Sequence, residues 1–272
     1  MELHSAWGTF EWLIEDCFDL GHRVGVVANS DGHKGRPGSS YPGASTFGAY
    51  GGLTCFLTDE LTRDGIFGAL RRRHHYGTTG NRIHLDVGVT CAGGATRYAD
   101  DPKDFPDTAT EQVTRLMMGD IAKTSDKRVT LNVKAISTTP IERIEIRNAK
   151  QVLKTVRGFD ESDLGERIRV VWSGAEYRGR GRETNWIGSV AFHGRTINRM
   201  AKVNAWNHER KLEQVDDSTV AFDAITTGNF AGFDAWLDGS GGEIEVNSNL
   251  VKERVSLDDV GLEDTIFEAG GL

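Results

Sequence analysis

A chemically rich segment follows the first apolar run of the chain. The residues ANSDGHKGRPG (28–38) come directly after RVGVV and hold Asp31, His33, Lys34 and Arg36 within six positions. Because side chains two apart in an extended segment point to the same side, Asp31 and His33 could bind one ion, and carboxylate and imidazole suit zinc, manganese or iron. Lys34 and Arg36 could hold an anionic substrate or its developing charge. The alternative interpretation is a solvated turn, which glycine and proline also favour.

His4 is the candidate for a third metal ligand. It lies just before the first predicted helix, where a preceding strand would end. If that strand neighbours RVGVV in a sheet, His4 reaches the same end of the sheet as the Asp-x-His pair. A catalytic zinc usually has three protein ligands. On spacing alone, His4, Asp31 and His33 are candidate ligands of a divalent metal such as Zn, Mn or Fe, and a loop whose histidines have no ligand role is the alternative.

The first 81 residues alternate predicted helices and strands. The segment 8–22 has the apolar spacing of an amphipathic helix, with Thr9 as the predicted N-cap and Gly21 as the predicted end. RVGVVA (23–28) has no polar alternation and is typical of a parallel strand covered on both faces. We interpret the glycine-rich stretch that follows, up to residue 52, as an ordered functional loop. A second helix is predicted over 62–73, and the charges after it favour a solvated C-terminal turn for His74 and His75.

Residue 82 marks a change of pattern, because the segments beyond it alternate apolar and polar side chains as half-buried strands do. The predicted strands are RIHLDVGV, RVTLNVKAI, IERIEIR, RIRVVWS and GEIEVNS. Short strands at this spacing indicate an antiparallel sandwich or jelly roll. His84 alternates with apolar neighbours and is expected to face solvent or a domain interface. The stretch YRGRGRE is interpreted as a hairpin turn rather than an RNA-binding segment. The predicted fold is α+β, with an α/β domain over 1–81 and a β-sandwich domain over 82–272.

Composition limits the partners of the chain. The 272 residues include 32 Lys and Arg against 40 Asp and Glu, which gives a net charge of −8. Nucleic acids and anionic membranes attract positive fields, so neither is a predicted partner. The three scattered cysteines do not form a CxxC pair, which argues against a disulfide framework or a thiolate zinc site. Because no apolar run approaches the roughly 20 residues that span a bilayer, we expect a soluble protein and leave the compartment open.

Three segments in order resemble one enzyme superfamily: ELHSAWGTFEW, VGVVANSDGHKGRPG and LRRRHHYGTTGNRIHLDV. They are similar to the C-terminal part of the PHP (polymerase and histidinol phosphatase) metallohydrolases, in particular to a large bacterial subgroup related to carbaryl-type ester hydrolases. The resemblance implies a distorted (β/α)7 barrel with up to three metals, followed by a β-sandwich. The motif 31–33 matches the last Asp-x-His ligand motif of the family, and His4 matches an earlier histidine. The phrases PIERIEIRN and VVWSGAEYRGRGRETNWIG resemble the sandwich.

The resemblance also implies that part of the barrel is missing. The family's barrel begins with a His-x-His strand, and the 272 residues do not contain that motif. We therefore expect only the last βα units, a reading frame truncated at Met1, and further ligands from a separately supplied N-terminal half. The expected function is a metal-dependent hydrolase of small phosphate, carboxylic or carbamic esters, and a three-metal site is not expected to form from this chain alone. An exposed strand edge would favour homo-oligomers. The alternative is a non-catalytic β-sandwich that serves as a binding or assembly module with a vestigial α/β cap.

Overall fold

The chain folds into several mainly antiparallel β-sheets with two short helices. A computed structural model describes residues 1–32, 50–178, 182–205 and 207–270. Within these ranges both helices lie in the first 71 residues of the chain, and all later elements except two single 3-10 turns are strands. The predicted antiparallel strands after the first region are confirmed to the extent that the chain is rich in β-strands that form several antiparallel sheets. The barrel that the resemblance implies, and the domain boundary at residue 82, stay predictions.

The elements up to residue 78 are named here the N-terminal α/β region. They are β1 (Glu2–Ser5), β2 (Gly8–Thr9), α1 (Glu11–Asp19), β3 (Val27–Ala28), β4 (Leu53–Phe56), α2 (Arg63–Arg71) and β5 (His75–Thr78). Strand β1 lies in the centre of a small sheet, with β3 parallel on one side and β2 antiparallel on the other. Strands β4 and β5 form an antiparallel pair. This pair contacts β3 through the Thr54 hydroxyl, which accepts from the Ala28 N–H at 3.0 Å and donates to the Ala28 carbonyl at 2.8 Å.

The two helices differ in how they begin. The Thr62 hydroxyl caps α2 by accepting from the Gly65 N–H at 3.0 Å. The prediction that Thr9 caps α1 is wrong, because Phe10 is the N-cap and no side chain caps this helix. Helix α1 ends before Gly21, as predicted, and Gly21 has the positive φ of 73° that glycine accepts without steric cost. Among the described residues, no helix has the length and apolar content needed to cross a bilayer.

The middle of the chain forms one four-stranded sheet and one hairpin. The sheet contains the long strand β6 (His84–Tyr98), which pairs with β7 (Thr110–Met117), β8 (Ile121–Thr124) and β9 (Thr130–Ile136). The hairpin contains β10 (Ile144–Asn148) and β11 (Gln151–Val156). His84 is exposed at the start of β6, as its alternation with apolar residues predicts.

Two antiparallel sheets form the last part of the fold, which is named here the sandwich. Their strands are β12 (Arg167–Ser173), β13 (Thr184–His193), β14 (Thr196–Val203), β15 (Leu212–Gln214), β16 (Thr219–Thr226), β17 (Phe230–Asp238), β18 (Glu243–Ser248) and β19 (Lys252–Ser256). One sheet has the order β12-β17-β14 and the other the order β15-β16-β13-β18-β19. Their inner side chains share one apolar core, in which Trp172 stacks on Phe222 with ring centres 4.5 Å apart. Alternate residues of β17 from Ala231 to Leu237 point into this core.

Candidate functional site

Parallel pairing of β1 and β3 brings the first two predicted site segments together. His4 lies opposite Ala28 in this pair, and the His4 carbonyl accepts from the Asn29 N–H at 3.1 Å. The pairing continues beyond both strands, where the Ala6 N–H donates to the Ser30 carbonyl at 3.2 Å. The chain therefore reaches Asp31 at the same end of the sheet as His4. This is the adjacency on which the sequence interpretation of His4 depends.

The His4 imidazole is buried and held from both sides. Only 4% of the residue is exposed. Nε2 lies 2.5 Å from the Tyr50 carbonyl oxygen, which can only accept, so the proton must be on Nε2 and Nδ1 accepts from the Thr9 hydroxyl at 2.8 Å. Burial lowers the pKa of His4, and the bond to the Tyr50 carbonyl opposes that shift only in part. His4 is thus a neutral imidazole at pH 7, the form that ligates metals, although both nitrogens already have protein partners.

Asp31 lies where the chain leaves the sheet, and it adopts an unusual backbone conformation. Its φ of 46° is in the left-handed region, which few residues other than glycine occupy, although aspartate does so more readily than most. The residue is exposed, and its carbonyl accepts from the Trp7 indole N–H at 3.4 Å. The predicted site residues His33, Lys34 and Arg36 lie outside the described residues, as does most of the predicted functional loop.

A cavity of about 320 Å³ opens beside His4. It is lined by residues of β1, β2, β3, β5 and β6, by the start of α1, and by residues that flank β3 and β5. The polar residues are His4, Thr9, Glu11, Thr78, Thr79 and Asn81; the others are Leu3, Val26, Ala28, Tyr76, Gly77, Ile83 and Leu85. The cavity has the volume and the mainly apolar character with a few polar groups that small-molecule sites have.

Small residues let β5 lie directly against β3 at this cavity. A Cβ added to Gly77 would come 2.9 Å from the Ala28 Cβ, and one added to Gly52 would come 2.6 Å from that atom. The Gly52 position would also bring the new atom within 3.0 Å of the His4 ring. The absence of a Cβ at Gly52 and Gly77 therefore lets the backbone approach Ala28 closely, and at Gly52 it also lets the backbone approach the His4 ring.

The described residues do not complete a metal site by themselves. In residues 1–32 and in the ranges from residue 50 onward, there is no group of three or more His, Cys, Asp or Glu that could hold an ion. For His4 to become a ligand, it would have to release either the Tyr50 carbonyl or the Thr9 hydroxyl. The imidazole of His4 and the carboxylate of Asp31 are donor types that suit a divalent metal. The described residues alone bring together too few such donors to hold one.

The prediction that His74 and His75 form a solvated turn is wrong. Both are buried where α2 passes into β5. His74 Nε2 lies 3.0 Å from a carboxylate oxygen of Asp120, and His75 Nδ1 donates to the Val26 carbonyl at 2.8 Å. His75 also packs against Gly25, where an added Cβ would come 2.6 Å from the ring. The sequence feature that could have indicated this burial is the segment YGT after the pair, because it allows a strand to begin at His75.

Helix α1 carries two glutamates one turn apart, Glu11 and Glu15, which differ in their surroundings. Glu11 is exposed, and it also lines the cavity. Glu15 points away from it toward Lys150, whose ammonium is 3.6 Å from the carboxylate. The structure thus places Glu11 at the rim of the cavity and assigns Glu15 to the surface.

Comparison with known families gives one match. A family model described as a protein of unknown function (DUF3604) matches residues 34–190. No curated protein matches the chain. Because the matched segment covers more than half of the sequence, the chain belongs to the DUF3604 family.

Proposed function

We propose that this member of the DUF3604 family contributes to a metal-dependent hydrolase of small phosphate, carboxylic or carbamic esters, of the PHP type. The observation that carries the proposal is the parallel pairing of β1 with β3, which brings His4 and Asp31 to one end of a sheet. The ends of parallel strands, where loops leave a rigid sheet, are the usual place for catalytic groups in α/β proteins. The cavity of about 320 Å³ beside His4 can hold a small substrate.

Each residue of the proposed site has a separate role. Asp31 and His33 hold the divalent metal, and His4 joins them by exchanging one of its hydrogen bonds. When bound, the metal supplies a Lewis acid that polarises the ester or phosphoester and activates water. Lys34 and Arg36 balance the negative charge that accumulates on the substrate oxygens. The remaining ligands of a PHP-type site would come from a partner chain.

The chemistry of the lining favours a small ester rather than a polymer. Leu3, Val26, Ile83 and Leu85 provide an apolar wall, and the threonine hydroxyls near β5 can donate hydrogen bonds to a carbonyl or phosphoryl oxygen. The net charge of −8 disfavours nucleic acid and anionic membrane as partners.

Metal content and turnover test the proposal. The purified chain is loaded with Mn²⁺ or Zn²⁺, its metal content is measured by mass spectrometry, and p-nitrophenyl phosphate and p-nitrophenyl acetate are assayed. We expect the unsubstituted chain to bind metal and both Asp31→Ala and His33→Ala to lose it. His22→Ala and Asp59→Ala, two exposed positions away from the cavity, are the matched controls. Metal content and turnover that are unchanged in Asp31→Ala and His33→Ala would refute the assignment.

A second candidate function has an observation in its favour. Both nitrogens of His4 are engaged by Thr9 and Tyr50, and the described residues do not assemble three ligands. These facts favour a non-catalytic β-sandwich that binds or assembles with a partner, with the α/β region as its cap. The same measurements decide between the two functions. Less than one equivalent of bound metal after mild chelation supports the non-catalytic module. It is also supported if neither substrate is turned over in the presence of any chain that co-purifies with the protein.

A further inference from the structure

Buried hydrogen-bond donors without acceptors are concentrated at one place in the molecule. In the part of the chain that the structure describes, five buried side-chain nitrogens have no hydrogen-bond partner. Three of them lie together: Nε and Nη1 of Arg182 and the indole Nε1 of Trp12. Buried polar groups in folded proteins almost always have partners, so each exception needs an explanation.

The charge at this place is not compensated. Arg182 is only 2% exposed, and its single bonded nitrogen, Nη2, donates to two neutral carbonyls, Thr9 at 2.7 Å and Thr227 at 3.3 Å. Burial lowers the pKa of Arg182, and burial is the one cause of that shift. A buried cation without a counter-ion is strongly unfavourable. The arginine therefore needs a negative partner that the described residues do not provide.

The start of α1 adds further positive potential to the same place. The guanidinium carbon of Arg182 lies 4.5 Å over the ring of Phe10, which is the N-cap of α1, and 6.0 Å from the Trp12 ring. No side chain caps this helix, and a helix N-terminus carries a partial positive charge. The helix carries Glu11 in its first turn, which is exposed and lines the cavity beside His4, and further along both oxygens of Asp16 accept from Arg178. The guanidinium of Arg182 and the indole of Trp12 offer donors only.

We propose that Arg182, Trp12 and the N-terminus of α1 bind an oxyanion, either a carboxylate or a phosphate group, at the junction between the N-terminal α/β region and the sandwich. Such a group accepts from Arg182 and from the Trp12 indole at once and neutralises the buried guanidinium. Anions are the usual ligands of helix N-termini. The site adjoins the proposed metal site through Thr9, whose hydroxyl bonds to His4 and whose carbonyl accepts from Arg182. The proposal does not depend on the proposed hydrolase function.

The site also has a structural role, because Arg182 connects two parts of the fold. Its Nη2 joins the carbonyl of Thr9 in β2 to the carbonyl of Thr227, which follows β16 in the sandwich. An anion that fixes the guanidinium would fix this connection as well. We therefore expect binding to raise the melting temperature of the protein as well as to release heat.

Titration calorimetry of the full chain tests the proposal with two probes, inorganic phosphate and acetate, in chloride buffer of constant ionic strength. Each probe that binds should also raise the melting temperature. We expect Trp12→Phe, which keeps the aromatic ring and removes only the N–H, to weaken binding about tenfold or less, and Arg182→Met to weaken it by more than tenfold. Arg178→Met is the matched control, since Arg178 also lies over the Trp12 ring, at 5.3 Å, but already has Asp16 as its partner.

The outcomes separate the alternatives. Binding of phosphate but not acetate assigns a phosphate site, and the reverse assigns a carboxylate site. If neither probe binds or changes the melting temperature relative to chloride, ordered water is the partner and the proposal is wrong. It is also wrong if Arg178→Met weakens binding as much as Arg182→Met does, because the effect is then a general attraction of the surface. Trp12→Phe preserves the packing, so it keeps the test decisive if Arg182→Met does not fold.

Discussion

The sandwich and the N-terminal α/β region bury different kinds of side chain. In the sandwich, the fully buried residues are mostly large and apolar, such as Val190, Phe192 and Phe233. In the α/β region, the buried apolar residues are few and mostly small. The buried polar residues there are His4, Ser5, His74 and His75. The two regions are therefore held together by different forces.

The difference shows where chemistry can be carried out. The sandwich gains its stability from apolar surface removed from water, an interaction without direction. The α/β region depends on directed hydrogen bonds and on close backbone packing at glycines. It also leaves apolar side chains exposed in both helices, such as Phe18 and Phe67, and next to them, such as Leu20 and Leu61. A polar interior that fixes the orientation of an imidazole is suited to a functional site, and the apolar sandwich is suited to support it.

The largest effect is expected from a cavity in the sandwich. Phe233 is fully buried and contacts both Trp172 and Phe192, with ring centres 6.4 and 6.5 Å away. Phe233→Ala should lower the free energy of unfolding by about 3–5 kcal/mol, because it removes a buried ring and leaves a void. Urea denaturation followed by circular dichroism measures this change. Phe230→Ala, on the same strand but 46% exposed, should cost much less, and equal costs would contradict the apolar-core interpretation.

The sequence predicted the strands of the second half well because alternation there is governed by burial. RIRVVWS corresponds to β12 residue for residue, and GEIEVNS corresponds to β18 with one additional residue. A strand with one face on an apolar core must repeat with period two, and that period is visible without knowledge of its partners. The pairing order of the eight sandwich strands was not visible, since it depends on contacts between residues far apart in sequence.

The candidate site was predictable only in part. The adjacency of His4 and the Asp31 segment was stated as a condition, and the parallel pairing of β1 with β3 confirms it. The predicted strand 23–28 is reduced to Val27–Ala28, and Thr54 bonds to Ala28 through its side chain rather than through a backbone ladder. Thr9 bonds to His4 instead of capping α1. Such exchanges of partner are tertiary, and local propensity cannot reveal them.

A methyl group in the α/β region tests whether close backbone packing stabilises it. Gly52→Ala places a Cβ 2.6 Å from the Ala28 Cβ and 2.8 Å from the Thr78 carbonyl oxygen. Since neither backbone can yield without moving β3 or β5, we expect a loss of about 1–3 kcal/mol and faster hydrogen exchange in β1 and β3. Gly158→Ala is the matched control, because an added Cβ there meets nothing within 4 Å. A silent Gly52→Ala would show that the region is loosely packed.

The buried imidazole of His4 makes the stability of the α/β region depend on pH. Burial lowers the pKa of His4 below the value of about 6.5 that it has in the unfolded chain. The unfolded state therefore takes up the proton first as pH falls, and stability that is complete above pH 6.5 is lost progressively below it. His4→Gln should reduce this dependence of the melting temperature between pH 7 and pH 5. His22→Gln, at an exposed position, should leave the dependence as it is.

The smallest effect is expected on the outer face of the sandwich, where polar contacts face solvent. The guanidinium carbon of Arg199 lies 4.3 Å from the ring centre of Trp236, on the neighbouring strand. An exposed contact of this kind is worth about 0.5–1 kcal/mol, so Arg199→Ala should lower the free energy of unfolding by no more than that. Lys202→Ala, three residues further along β14 and also exposed, is the control for loss of a positive charge. A cost for Arg199→Ala that matched the cost of Gly52→Ala would mean that the sandwich also depends on its polar contacts, and the contrast between the two regions would then be one of degree only.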